Sequence, residues 1–115
     1  MSKLNYFKNI KQHLNHIRKR SKDKGMEYNL DMPWFRSKLN KERCEVTGLV
    51  LDYTKDPYVN PFYPSIDRVD SSKGYTKDNC KLVCMMFNNA KQDHDIKHFE
   101  TWCKAFVEKY ENLLG

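Results

Sequence analysis

The chain has 115 residues, 39% of them hydrophobic, with 6 Phe, 7 Tyr and 2 Trp, which suits one domain with a modest core. No apolar run approaches the ~20 residues needed to cross a bilayer, and "MSKLNYFKNIKQHL" has neither the apolar stretch nor the small-residue cleavage site of a secretory leader. A membrane partner is therefore not expected, a cytoplasmic location is, and the net charge of +6 suits a polyanion such as nucleic acid.

Leu4, Phe7, Ile10, Leu14 and Ile17 recur at helical steps and predict an amphipathic first helix. It runs into "IRKRSKDKG", where Arg18, Lys19, Arg20, Lys22 and Lys24 face a single acid, Asp23, before the stop residue Gly25. That basic end can meet a polyanion, or it can simply complement the helix dipole. "MEYNLDM" reads as a short extended segment, and Asp31 as the cap of a brief helix "PWFRSKLN" with Pro33 near its start.

"CEVTGLVLDY" reads as a turn into a strand, bending at Gly48. "TKDPYVNPFYPS" holds three of the four prolines and is expected to be a loop. "SIDRV" and "CKLVC" are two further strands around the polar loop "SSKGYTKDN", and "MMFNNAKQD" reads as a short helix. From Asp95, residues Ile96, Phe99, Cys103, Phe106, Tyr110 and Leu113 predict a last amphipathic helix. The order gives a small α+β fold: a single domain with a basic helical part over 1–40, a core over 44–92 and a C-terminal helix over 95–114. Cys44, Cys80, Cys84 and Cys103 are expected to be reduced thiols.

With the elements placed, "PSIDRVDSSKGYTKDNCKLVCMMFNNAK" resembles the ββα-metal motif of the HNH, or His-Me finger, endonucleases, especially small phage-type members. "IRKRSKDKGMEYNL" followed by "CEVTG" is similar to the basic helix and turn that precede the motif, so the likeness covers roughly residues 14 to 103. By that resemblance Asp67 would be the strand-borne metal ligand, Asn79 the orienting loop Asn, and Asn88 the metal ligand on the helix. Lys91 would follow to meet phosphate, and the ion would be Mg²⁺ or Mn²⁺, which hard oxygen ligands suit.

Arg68 stands where the family places its catalytic histidine. A guanidinium has no acceptor nitrogen and stays charged, so it cannot take a proton from water. It can clamp a phosphate or stabilise developing charge. Either metal-bound water reacts without a protein base, another residue supplies one, or hydrolysis is lost. His94 and His98, the nearby histidines, read as surface residues.

Relatives of this type often carry a structural zinc on two CxxC pairs. Here those stretches read Cys44-Glu-Val-Thr47 and Cys84-Met-Met-Phe87, each missing its second thiol. No structural zinc is expected, and Cys44, Cys84 and Phe87 read as core packing. The resemblance thus implies a phage-type, metal-dependent endonuclease hydrolysing DNA phosphodiesters, with Asp67, Arg68 and Asn79 in the reaction, acting in the host cytoplasm. The alternatives are an inactive nucleic-acid-binding protein of the same fold, or a phage factor that binds a host protein.

Overall fold

The computed structural model describes residues 3–54 and 58–114, without the side chains of Lys3, Leu4 and Leu114; the expectations that fall on Leu4 and on residues 55–57 lie outside the described residues. Among the described residues, four helices, α1 (Lys3–Asp23), α2 (Met32–Asn40), α3 (Met85–Lys91) and α4 (Ile96–Leu114), surround one antiparallel hairpin of β1 (Pro64–Arg68) and β2 (Cys80–Cys84). The α+β expectation holds. Among the described residues no helix is long and apolar enough to cross a membrane.

The spacing of Ile10, Leu14 and Ile17 puts all three on the buried face of α1, and the helix ends where Gly25 takes the left-handed φ of 66°. Tyr6, on the same face, is fully buried at the centre of an aromatic cluster. It stacks on Tyr53 at 4.7 Å between centroids and meets the edge of Tyr63 at 5.8 Å and the ring of Phe35 at 6.0 Å. Asp31 caps α2 as its position implies, accepting from the Trp34 backbone N–H at 2.9 Å. Phe35 and Leu39 then face the core from α2.

The strand expected in "CEVTGLVLDY" does not form. Arg43 and Val50 make one isolated bridge, the chain turns through Gly48, and Leu49 and Val50 are exposed. The run pairs only briefly, with the Cys44 N–H on the Leu49 carbonyl at 2.8 Å and the Leu51 N–H on the Glu42 carbonyl at 2.9 Å, while the Glu45 carboxylate accepts from the Leu82 backbone N–H at 2.6 Å and from Lys38 at 2.6 Å. "MEYNLDM" is extended only to the extent of one parallel bridge, Tyr28 with Tyr75. That bridge brings the 70–79 loop against the segment after α1, so closely that a Cβ on Gly74 would lie 2.1 Å from the Glu27 carbonyl oxygen. Only glycine fits there.

In the hairpin, Ile66 pairs with Leu82, Asp67 with Lys81 and Arg68 with Cys80. Helix α3 starts directly after β2 and folds back along β1. Helix α4 meets the rest of the molecule chiefly through Phe99, whose ring stands edge-on to Phe87 at 5.0 Å.

Candidate functional site

The residues singled out by the sequence converge around the end of β1, but their partners differ from those the resemblance implies. Successive residues of a strand face opposite ways. Ser65 and Asp67 lie against α3, whereas the Arg68 side chain lies against the loop. The Asn88 amide donates to Ser65 Oγ at 2.7 Å and to the Ile66 carbonyl at 3.2 Å. One helical turn later, Lys91 Nζ donates to both Asp67 carboxylate oxygens, at 3.0 Å to Oδ1 and 2.9 Å to Oδ2, and to the Arg68 carbonyl at 3.0 Å. Asp67 and Lys91 are each only 5% exposed. A buried carboxylate needs a compensating cation, and here that cation belongs to the protein.

Asn79 is also committed. Its Oδ1 accepts from the Asp70 backbone N–H at 3.0 Å, and its amide donates to the carbonyls of Asp70 at 3.0 Å and Gly74 at 2.9 Å. It clamps the 70–79 loop from within. Asp70 makes a tight turn of its own: the Ser72 hydroxyl and backbone N–H bond its carboxylate and hold its pKa below the ordinary value.

The Arg68 guanidinium lies over the Tyr75 ring, 4.7 Å from its centroid, and donates to the Lys73 carbonyl at 3.2 Å. Two cavities share it. One is an open cleft of about 590 Å³ whose walls include Asp67, Asp70, Lys91 and His94. The other is a pocket of about 120 Å³ at the end of α1, lined by Arg20, Ser21, Lys24, Arg68 and Tyr75. Arg18, Lys19 and Lys22 are exposed on the same helix end. Asn88 lines neither cavity.

No family model matches the chain, and no solved structure does. The chain is 29% identical over 89 residues to an uncharacterized protein of Acanthamoeba polyphaga mimivirus, an overlap of 77% of this chain and 15% of that protein. It is 25% identical over 96 residues to an uncharacterized 29.0 kDa protein of Enterobacteria phage T4, covering 81% of this chain and 36% of that protein. Both relatives are viral proteins. The chain thus spans well under half the length of either one.

A Mg²⁺ or Mn²⁺ placed as the resemblance implies would have to compete with Lys91 for the Asp67 carboxylate. Both Asp67 oxygens accept from Lys91 Nζ, and Asn88 bonds β1 through its NH2 group rather than through Oδ1, the atom a metal would take. The thiols are packed rather than presented: Cys44, Cys80 and Cys84 are buried, and Phe87 with them. Burial pushes the Cys80 thiol up to about 12 and the Cys84 thiol up to about 11. Burial also pushes Cys44 up, but hydrogen bonds from the Thr47 hydroxyl and from the backbone N–H groups of Val46, Cys84 and Thr47 outweigh it and hold that thiol below its ordinary value. The Cys84 N–H lies 3.3 Å from Cys44 Sγ, so the surviving first members of the two CxxC-like stretches meet in space.

Two features were not legible in the sequence. His94, read as a surface residue, is exposed but stands on the wall of the cleft. In the sequence Lys24 is only one charge in a run, and its place with Arg68 on one pocket follows from the Tyr28–Tyr75 bridge.

Proposed function

We propose that this chain is a nucleic-acid-binding module built on an HNH-like ββα scaffold, in which Lys91 stands in for the metal ion and hydrolysis is absent. The observation that carries the reading is the position of Arg68, shared by the cleft above Asp67 and by the pocket that Arg20 and Lys24 line. A phosphate entering that pocket meets three cationic side chains. One of them is a guanidinium already oriented by Tyr75 and the Lys73 carbonyl. The backbone of a nucleic acid could then run from the end of α1 across Arg68 into the open cleft, and contacts of this kind are insensitive to base sequence.

The chemistry above Asp67 supports binding over cleavage. An ammonium bonded to three oxygens neutralises the carboxylate without offering the open coordination positions through which a metal activates water. Arg68 cannot serve as a base. Endonuclease activity is the second reading, favoured by the size of the cleft and by Asp70 and His94 on its walls. It requires a divalent ion to displace Lys91.

The test is a pair of assays on the same preparation. Fluorescence anisotropy with short labelled duplexes and single strands should show binding that weakens steeply with salt. Supercoiled plasmid with Mg²⁺ or Mn²⁺ should stay intact. Nicking by the wild type that disappears in Asp67→Ala would replace this reading with the endonuclease. A protein that binds neither form of DNA at low salt, and no RNA, would leave only a protein partner.

A further inference from the structure

The last helix is poorly used by the domain it belongs to. Along α4, the side chains of Ile96, Trp102, Phe106, Val107, Tyr110 and Leu113 are all at least half exposed, from 50% at Val107 to 82% at Leu113. Phe99 is the residue that anchors the helix, against Phe87. Beyond it Trp102, Phe106 and Tyr110 stack on one another at successive centroid distances of 5.9 Å. A contiguous apolar stripe of this size marks an interaction surface.

The pattern of the stripe specifies its occupant. Ile96, Phe99, Cys103, Phe106, Tyr110 and Leu113 follow alternating steps of three and four, the a and d positions of a coiled-coil seam. Trp102 and Val107 widen it on either side. We propose that α4 pairs with α4 of a second copy of this chain, in antiparallel orientation. About the midpoint between Cys103 and Phe106, every a residue then faces a d residue. Ile96 meets the partner's Leu113, Phe99 the partner's Tyr110, and the small Cys103 the large ring of the partner's Phe106. Trp102 comes beside the partner's Lys109, a cation–π arrangement, and Glu100 beside the apolar partner's Val107. The parallel alternative places Asp95 against the partner's Glu100 on both sides of the seam, a like-charge clash that the antiparallel register avoids.

The area suffices. A buried aromatic side chain contributes about 150–250 Å², so the exposed parts of Trp102, Phe106 and Tyr110 amount to roughly 300 Å² per protomer. Two copies, with Ile96, Val107 and Leu113 added, reach the roughly 1,000 Å² that a specific interface needs. The pairing is independent of the nucleic-acid reading, since it uses none of Arg18, Lys19, Arg20, Lys22, Lys24, Arg68 and Lys91.

Sedimentation equilibrium at tens of micromolar should give about twice the 13.8 kDa chain mass. Phe106→Glu should return it to monomer, with an unchanged far-ultraviolet circular dichroism spectrum, because Phe106 is not part of the core. The register has its own readout. Phe106→Cys puts a thiol opposite the partner's Cys103, so oxidised glutathione should convert that variant to a disulfide-linked dimer while the wild type stays uncrosslinked. A monomeric wild type, or a folded Phe106→Glu that remains dimeric, overturns the proposal. Ready crosslinking of the wild type through Cys103 overturns the antiparallel arrangement.

Discussion

Replacing Lys91 by Met keeps most of the side-chain volume but removes the ammonium. Asp67, 5% exposed, would then keep a buried carboxylate that has lost the three-centre partner holding both its oxygens. Breaking a buried pair in this way costs about 3–5 kcal/mol, a large part of the 5–15 kcal/mol typical of a whole domain. With an urea m-value of about 1.5 kcal/mol/M, the midpoint of unfolding should fall by roughly 2–3 M. The double variant Lys91→Met with Asp67→Leu should regain most of that loss, because replacing both members by apolar groups is often neutral. The assignment of Lys91 to the place of an ion adds a second arm. Mn²⁺ should stabilise Lys91→Met, by about 2.7 kcal/mol at a concentration 100-fold above its Kd, and leave the wild type nearly unmoved. A single variant that loses less than about 1 kcal/mol would refute the energetic reasoning. Equal stabilisation of wild type and variant by Mn²⁺ would refute the idea that the ammonium occupies the cation's place.

Arg20→Ala with Lys24→Ala should reduce the log–log salt slope of DNA binding by about 2, at roughly 0.9 per lost phosphate contact; an unchanged slope in a titration from low to physiological salt would remove that pocket from the nucleic-acid path. The Tyr6 hydroxyl is buried without a hydrogen-bond partner among the described residues, so Tyr6→Phe should be neutral or stabilising by about 1 kcal/mol in urea unfolding. Burial raises the Tyr6 phenol well above its ordinary range; above about pH 10 the unfolded chain releases that proton first, and stability should fall by about 1.4 kcal/mol per pH unit from this group. Tyr6→Phe should flatten that alkaline limb, and identical limbs would contradict the burial. In native Phe106→Glu, expected to be monomeric, iodoacetamide at pH 8 should label the half-buried Cys103 first and leave Cys44, Cys80 and Cys84 until unfolding; early labelling of any of the three, seen by mass spectrometry, would mean that the core opens locally.

Three of the helices were legible from local signals: α1 and α4 from the 3.6-residue recurrence, and α2 from the Asp31 cap with Pro33. The hairpin was legible because "SIDRV" and "CKLVC" flank a turn-rich loop. The missing strand after Cys44 shows the limit of that logic. Its apolar residues suit a strand, but a strand needs a ladder, and here the pairing stops after the single Arg43–Val50 bridge, a matter of three dimensions. The same limit applies at the site. Asp67, Asn79, Asn88 and Lys91 could all be named from the resemblance, but which of them holds which is a matter of one helical turn. Lys91, read as a phosphate contact, is spent on Asp67, and Asn88 on Ser65. The central position of Tyr6 was also hidden, because its hydroxyl makes it look like a rim residue until Tyr53 and Tyr63 enclose it.

The contact of Gly74 with Glu27 has a consequence for binding rather than for folding. A loop that must become ordered when it meets a ligand loses conformational entropy at that moment, about 1–2 kcal/mol per residue fixed. The loop that presents Arg68 is closed beforehand by the Asn79 clamp, by the Gly74–Glu27 approach and by the Lys77 backbone N–H bonded to Asn29 at 2.7 Å. Arg68 and the end of α1 are therefore set at a fixed spacing before any phosphate arrives. On the proposed nucleic-acid reading, such a site would act as a gauge, favouring polyanions whose charges match its own span, and a flexible chain would have to adapt to it.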